Sequence, residues 1–210
     1  MKYITGNKTY SSWSLRPWIL LKHFGIPFEE ILVKLDLPGT TVEIKKYSPS
    51  GRVPALVDGT LVIWESLAIM EYLNEKFPDR QMYPVSQRER AICRSISNEM
   101  HGGFAALREH LSFNTKRKSS KHNVDKAVGD IARIKQIWNE QLGRSNGPFL
   151  FGKFSIADAM YAPVVGRFKI YEVPVDGQVA EYCKTMMELP AMKEWYADAQ
   201  RETFNAPYHD

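Results

Sequence analysis

Asp58-Gly59 stands between two short apolar runs, Ala55-Leu56-Val57 and Leu61-Val62-Ile63-Trp64, and that arrangement leaves the chain few options. Asp-Gly supplies the positive-φ turn that joins two antiparallel strands directly. Both flanks of this predicted hairpin are unusual. Pro54 opens the first strand, although proline lacks the N–H that a ladder uses. Glu65-Ser66 follows the second strand and introduces Leu67, Met70, Leu73 and Phe77, spaced as one face of a helix.

Upstream, "KYIT" reads as a strand, "SLRPWILLKHF" as a helix ended by Gly25 and Pro27, "FEEILVKL" as a second strand and "TTVEIKKY" as a short helix. The order is therefore strand, helix, strand, helix, hairpin, helix. Beyond Phe77-Pro78 the pattern changes. Ile92, Ile96, Met100, Phe104, Leu107 and Leu111 recur at helical spacing and read as one helix, with Met100 and Phe104 suited to a core. Ile131, Ile134, Trp138 and Leu142 mark another. "GKFSIAD" sets Ser155 and Asp158 at capping-box spacing, with Asp in place of the usual Glu or Gln, and Pro163 is expected to kink the helix that follows. Helices are expected around 179–187 and 191–200, and no strand is expected after the hairpin. The fold class is an α/β N-terminal domain over residues 1–79 followed by an all-α C-terminal domain over 86–210.

Composition narrows the partners. The 210 residues carry a formal charge of +4, and the one basic cluster, "TKRKSSKH" with Lys116, Arg117, Lys118 and Lys121, reads as a solvated loop. It has no aromatic platform beside it, so no nucleic-acid partner is expected. Cys93 and Cys183 make neither a disulfide framework nor a metal cluster, which predicts no metal and a reducing compartment. No apolar run reaches the ~20 residues that span a bilayer, and the N-terminus lacks a signal-peptide core. A cytoplasmic protein with no membrane partner is the expectation.

A small mixed sheet whose third strand opens on proline resembles the thioredoxin fold, in which that proline is cis. The resemblance implies that Val53 offers its backbone to a peptide-like ligand while Pro54 holds the bend; a plain strand-start proline is the alternative. Thioredoxins place a redox cysteine where the first strand meets the first helix, but "YSSWSLRPW" has Ser11, Ser12 and Ser14 there. A hydroxyl at that point suits a thiol brought in by a substrate, or it caps the helix. Ser66 and the first amides of its helix suit a carboxylate, and Glu65 suits an ammonium group; Ser66 as a simple cap is again open.

In this order, "SSWSLR", "VPAL...ESLAI" and "GKFSIAD" resemble the cytosolic glutathione S-transferases over nearly the whole chain. The first is similar to the "SSCSWR" signature of the zeta class, and bacterial transferases of undefined substrate look similar too. The resemblance implies a homodimer with glutathione as co-substrate, held by Arg52, Val53, Pro54, Glu65 and Ser66. It implies thiol activation by Ser11, five residues before Arg16 as in the zeta signature, in preference to Ser12, which a four-residue count would select, and to Ser14. The acceptor pocket would be lined by Trp13, His101, Phe104 and Arg108, with Arg108 available to an acidic substrate, and the activity would be glutathione transfer to a small electrophile. A non-catalytic module of the same fold is the alternative. Two departures stand out: Trp13 replaces the family cysteine associated with maleylacetoacetate isomerisation, and Arg52 replaces a glutamine.

Overall fold

The computed structural model describes residues 1–118, 122–145 and 147–203. Its first part runs β1 (Lys2–Gly6), α1 (Ser12–His23), β2 (Glu29–Val33), α2 (Thr40–Lys45), β3 (Ala55–Asp58), β4 (Leu61–Trp64) and α3 (Ser66–Lys76). The sheet order is β2-β1-β3-β4, with β1 parallel to β2 and antiparallel to β3. This is the expected thioredoxin-like arrangement. Asp58 pairs with Leu61 across the hairpin, and Gly59 takes φ +62°, the conformation its turn requires.

Each face of the sheet is covered for a reason legible in the side chains. Ile4, Val33, Ile44 and Ala55 form a small cluster beneath α2. Tyr3 and Leu56 alternate to the other face and join Leu15, Trp18 and Ile19 of α1 and Met70 and Leu73 of α3. That second cluster continues without a break into the helical part of the chain.

The helical part comprises α4 (Gln87–Gly102), α5 (Ala105–His110), α6 (Val128–Ser145), α7 (Ile156–Ile170), α8 (Gly177–Glu188) and α9 (Pro190–Arg201). Its centre is α7, apolar nearly all round and packed against both α1 and α4. The start of α7 is the predicted capping box. Asp158, fully buried, accepts from the Ser155 N–H at 2.9 Å, the Ser155 hydroxyl at 2.8 Å and the Leu150 N–H at 3.1 Å. Burial pushes this carboxyl up to about 6. Among the described residues after β4 the only strand-like contact is an isolated bridge between Phe151 and Lys153.

Two expectations are corrected. The apolar series from Ile92 to Leu111 spans two helices, α4 and α5, rather than one. Gly103 closes α4 by donating its N–H to Glu99 O at 2.9 Å, a Cβ there would lie 2.7 Å from that same oxygen, and Phe104 turns left-handed at φ 59°. The spacing survived the break because both helices face one core, in which Met100, Phe104, Leu107 and Leu111 are all buried. The basic cluster is also no solvated loop over its described part. Thr115 is buried, the Lys116 ammonium donates to Glu202 O, and the Arg117 guanidinium donates to the Tyr171 hydroxyl at 2.9 Å. Lys121 lies outside the described residues. Among the described residues no helix is long and apolar enough to cross a membrane.

Candidate functional site

Two strand-to-helix junctions and one loop come together around a cavity of about 130 Å³, lined by Trp13, Ser50, Arg52, Val53, Pro54 and Glu65. Larger hollows lie elsewhere, one of about 390 Å³ beside Tyr83 and Phe151 and one of about 460 Å³ beside Phe168 and Met187. The small one brings Ser50, Arg52 and Glu65 beside the Val53–Pro54 peptide. The Val53–Pro54 peptide is cis, and Val53 lies just before the first ladder pair of β3, Ile4 with Ala55.

Where β4 hands over to α3, the backbone is unusual. Glu65 is the N-cap with φ 70° and ψ 129°, a conformation that costs a non-glycine residue on the order of 1–3 kcal/mol. Ser66 is therefore the first helical residue and not the cap. Its hydroxyl is wholly buried and has no hydrogen-bond partner. Such an orphan costs ~1–3 kcal/mol, so a strained residue and an unsatisfied one stand side by side at a helix N-terminus.

At the β1–α1 junction the three serines have separate tasks. Ser11 is the N-cap of α1, accepting from the Ser14 N–H at 3.3 Å while its own hydroxyl donates to Ser14 Oγ at 2.7 Å. Ser14 Oγ also accepts from the Gly6 N–H at 3.2 Å, so Ser14 serves the backbone. Ser12 Oγ accepts from Arg167 Nη2 at 3.3 Å, which leaves its proton uncommitted. Neither Ser11 nor Ser12 lines the cavity wall, where α1 presents Trp13.

Trp13 is flanked by two guanidiniums and an imidazole. The Arg16 guanidinium stacks 4.1 Å from the indole centroid, that of Arg108 lies 4.6 Å away, and His101 meets the ring edge-on at 5.2 Å. Arg16 is fully buried, with Nε donating to Met160 O at 3.0 Å and both terminal nitrogens unpartnered. Arg167, also buried, donates Nε to Leu111 O at 2.8 Å and leaves Nη1 unpartnered. Burial first, and then the neighbouring guanidiniums of Arg108 and Arg167, hold Arg16 well below its ordinary range. Burial and Arg108 push Arg167 down to about 9, still cationic at neutral pH. Burial lowers His101 as well, against the opposing pull of Glu65 and with help from Arg16 and Arg108. His101 is therefore neutral at pH 7, and its 3.6 Å approach to Glu65 is no ion pair.

Of the residues expected from sequence, Trp13, Arg52, Val53, Pro54 and Glu65 share one cavity, while Ser66 sits directly behind Glu65. Phe104 does not line it; its ring is part of the main core. Arg108 is half-buried and donates to the carbonyls of Met100 and Gly103, the latter at 3.0 Å, as it stacks on Trp13. Arg16 and Arg167 were not singled out as ligands in the sequence. The available signal for Arg167 was a lone charge in the otherwise apolar "AMYAPVVGRF".

Comparison with known proteins identifies the family and the fold. Residues 10–76 match the glutathione S-transferase N-terminal domain, and 96–198 match the glutathione S-transferase C-terminal domain. The chain is 30% identical over 210 residues to glutathione S-transferase Z1 of Arabidopsis thaliana, covering 92% of each protein. Among solved structures it is similar to a zeta-class bacterial glutathione S-transferase, a maleyl pyruvate isomerase, with TM-score 0.74 and 21% identity over 97% of this chain and 100% of that one. It also shares the fold of a glutathione transferase homolog from Burkholderia with bound glutathione, at TM-score 0.71 and 21% identity, covering 96% of this chain and 98% of the other.

Proposed function

The chain belongs to the glutathione S-transferase family and is a glutathione transferase, and from that premise we propose that it joins the thiol of glutathione to a small, anionic electrophile. The observation that carries the glutathione half is the buried, unpartnered Ser66 hydroxyl at the N-terminus of α3. It can donate to the γ-glutamyl carboxylate, as can the first free amides of that helix. Glu65, exposed at the cavity, suits the α-ammonium group, and Val53 on the same wall suits backbone pairing with the cysteinyl part. Arg52 lies on the same wall and suits the glycyl carboxylate.

Chemistry requires a thiolate. A free thiol of pKa ~8.5 is only a few per cent ionised at pH 7, and lowering that value by two units takes ~2.7 kcal/mol of selective stabilisation. Both Ser11 and Ser12 stand at the start of α1, where the helix end itself favours negative charge. Hydrogen bonding favours Ser12 as the donor. The Ser11 oxygen and proton are both engaged within the cap, whereas Arg167 donates to Ser12 Oγ and leaves its proton for a thiolate.

The anionic character of the acceptor follows from Arg16, Arg108 and Arg167. None of the three has a carboxylate hydrogen-bond partner among the described residues, and buried guanidinium nitrogens remain unsatisfied in two of them. A carboxylate on the electrophile would satisfy these donors and hold the reacting carbon near Trp13. The reading also takes the chain as two domains over 1–79 and 86–210, paired as a homodimer in a cytoplasmic, reducing setting where Cys93 and Cys183 keep free thiols.

Calorimetry with glutathione, followed by rates with an aryl halide, a peroxide and an α,β-unsaturated carboxylic acid, tests both halves. Binding at millimolar glutathione and a preference for the acid are expected, with that preference lost in Arg167→Met. Absence of binding sinks the glutathione reading, and a preference for the neutral aryl halide sinks the anionic one.

A further inference from the structure

The loop between β1 and α1 has its backbone completed from the far end of the chain. The Glu202 carboxylate, just past α9, accepts the Lys8 N–H at 2.6 Å, the Thr9 N–H at 3.0 Å and the Thr9 hydroxyl at 2.7 Å. The carbonyls are met as well: the Trp195 indole N–H donates to Lys8 O at 2.9 Å, and the Thr115 N–H donates to Thr9 O at 3.0 Å. Beneath, the Lys8 ammonium is buried between Glu30 at 2.8 Å and Asp198 at 2.7 Å, against the rings of Trp18 and Trp195. Glu202 is itself held, since the Lys116 ammonium donates to its carbonyl.

This loop leads straight into the serines. Asn7 O accepts the N–H groups of Tyr10 and Ser11 at 3.1 and 2.8 Å, and the Ser12 N–H donates to Tyr10 O at 2.9 Å. A shift of Lys8 or Thr9 therefore propagates through one tight turn into the entry of α1. A carboxylate accepting from two successive amides and a hydroxyl fixes position and orientation together, because all three bonds are charge-assisted and share one rigid group. The cavity wall formed by Arg52, Val53, Pro54 and Glu65 belongs to other segments and has no bond to Glu202.

We infer that Glu202 is a positioning residue for thiol activation: it sets the β1–α1 loop, and through it the hydroxyls and amides that meet the bound thiol. This rests on the proposed activation at the start of α1. Glu202 touches neither glutathione nor the acceptor in this scheme, and it acts by geometry.

The test measures ionisation of bound glutathione, by thiolate absorbance against pH, in Glu202→Ala, Glu202→Gln, Ser11→Ala and Ser12→Ala, with kcat and KM alongside. Glu202→Ala should raise the bound thiol's pKa by about one unit, a tenfold loss of thiolate well below that pKa. The neutral-pH kcat should fall by a similar factor and recover at high pH, with KM for glutathione within about twofold. Glu202→Gln, which keeps an acceptor oxygen, should restore part of the shift; if the alanine variant does not fold, it carries the measurement alone. A shift in Ser12→Ala or Ser11→Ala without one in the Glu202 variants overturns the positioning role and leaves the serine reading standing. A shift in the Glu202 variants alone supports positioning and moves the activation from hydroxyl to loop amides. No shift in any variant overturns both.

Discussion

Ser66 and Ser155 are the same residue type, each buried and each beside the start of a long helix, yet their surroundings are opposite. Ser155 shares its N–H and hydroxyl with a carboxylate that also holds Leu150. Ser66 has a hydroxyl with no partner and follows a residue in a costly backbone conformation. A helix entrance that satisfies its own polar groups contributes to the fold. One that leaves them unmet has free energy available for something that arrives from outside.

The contrast makes the largest expected effect a stability effect. Asp158→Ala strands two buried N–H groups and a hydroxyl, each costing ~1–3 kcal/mol, partly offset because a buried carboxylate is itself expensive. A loss of about 3 kcal/mol in the urea-derived unfolding free energy is expected, with an unchanged KM for glutathione. A normal urea midpoint would erase the distinction between the two serines.

Ser66→Ala should act in the reverse sense. Glutathione affinity should weaken by about 2 kcal/mol, the value of a hydrogen bond to a charged group, while the melting temperature stays level or rises as an orphan is removed. Calorimetry and thermal melting on one preparation separate these; a drop in melting with intact affinity would make Ser66 a second Ser155.

Protonation sharpens the comparison further. The Asp158 carboxyl, at about 6, lies above the ~3.9 of an unfolded chain, so the folded state binds this proton more tightly. Its contribution is complete below about pH 4 and is lost as pH rises through 6. Asp158→Asn has no such proton, so the stability gap between wild type and variant should be wider at pH 4 than at pH 7, on the order of 1–2 kcal/mol. A gap that does not change with pH would mean that the carboxyl is not desolvated as its burial implies. The smallest effect is expected at His101, which is neutral beside Glu65. His101→Phe should alter glutathione affinity at pH 7 by less than about 0.5 kcal/mol, and a larger loss in titration calorimetry would reveal an ion pair.

Much of this is legible in the sequence itself. The Asp58-Gly59 turn, the proline at the head of β3 and the Ser155/Asp158 spacing each announce a local geometry, because local backbone rules fix them. The break at Gly103 was hidden by a spacing that two helices share, since periodicity records which side faces the core and not whether the chain is continuous. Ser66 could be placed at a helix start, but its lack of a partner depends on tertiary surroundings. The proposed preference for Ser12 over Ser11 and Ser14 rests on Arg167, a residue 155 positions from Ser12 that no local pattern connects to it. The same holds for Arg16, which reads as an ordinary helix residue until α7 closes over it.

The clamp of Glu202 on Lys8 spans 194 positions, and that separation has a consequence in time. Synthesis passes Lys8, Thr9 and both serines long before it reaches Glu202. A nascent polypeptide interrupted just before Glu202 already carries the loop, the hairpin and the helices, but the Lys8 and Thr9 amides still lack that carboxylate. Contacts of this range are also the slow ones to close. The loop that leads into α1, made early, waits for a carboxylate that is made after α9.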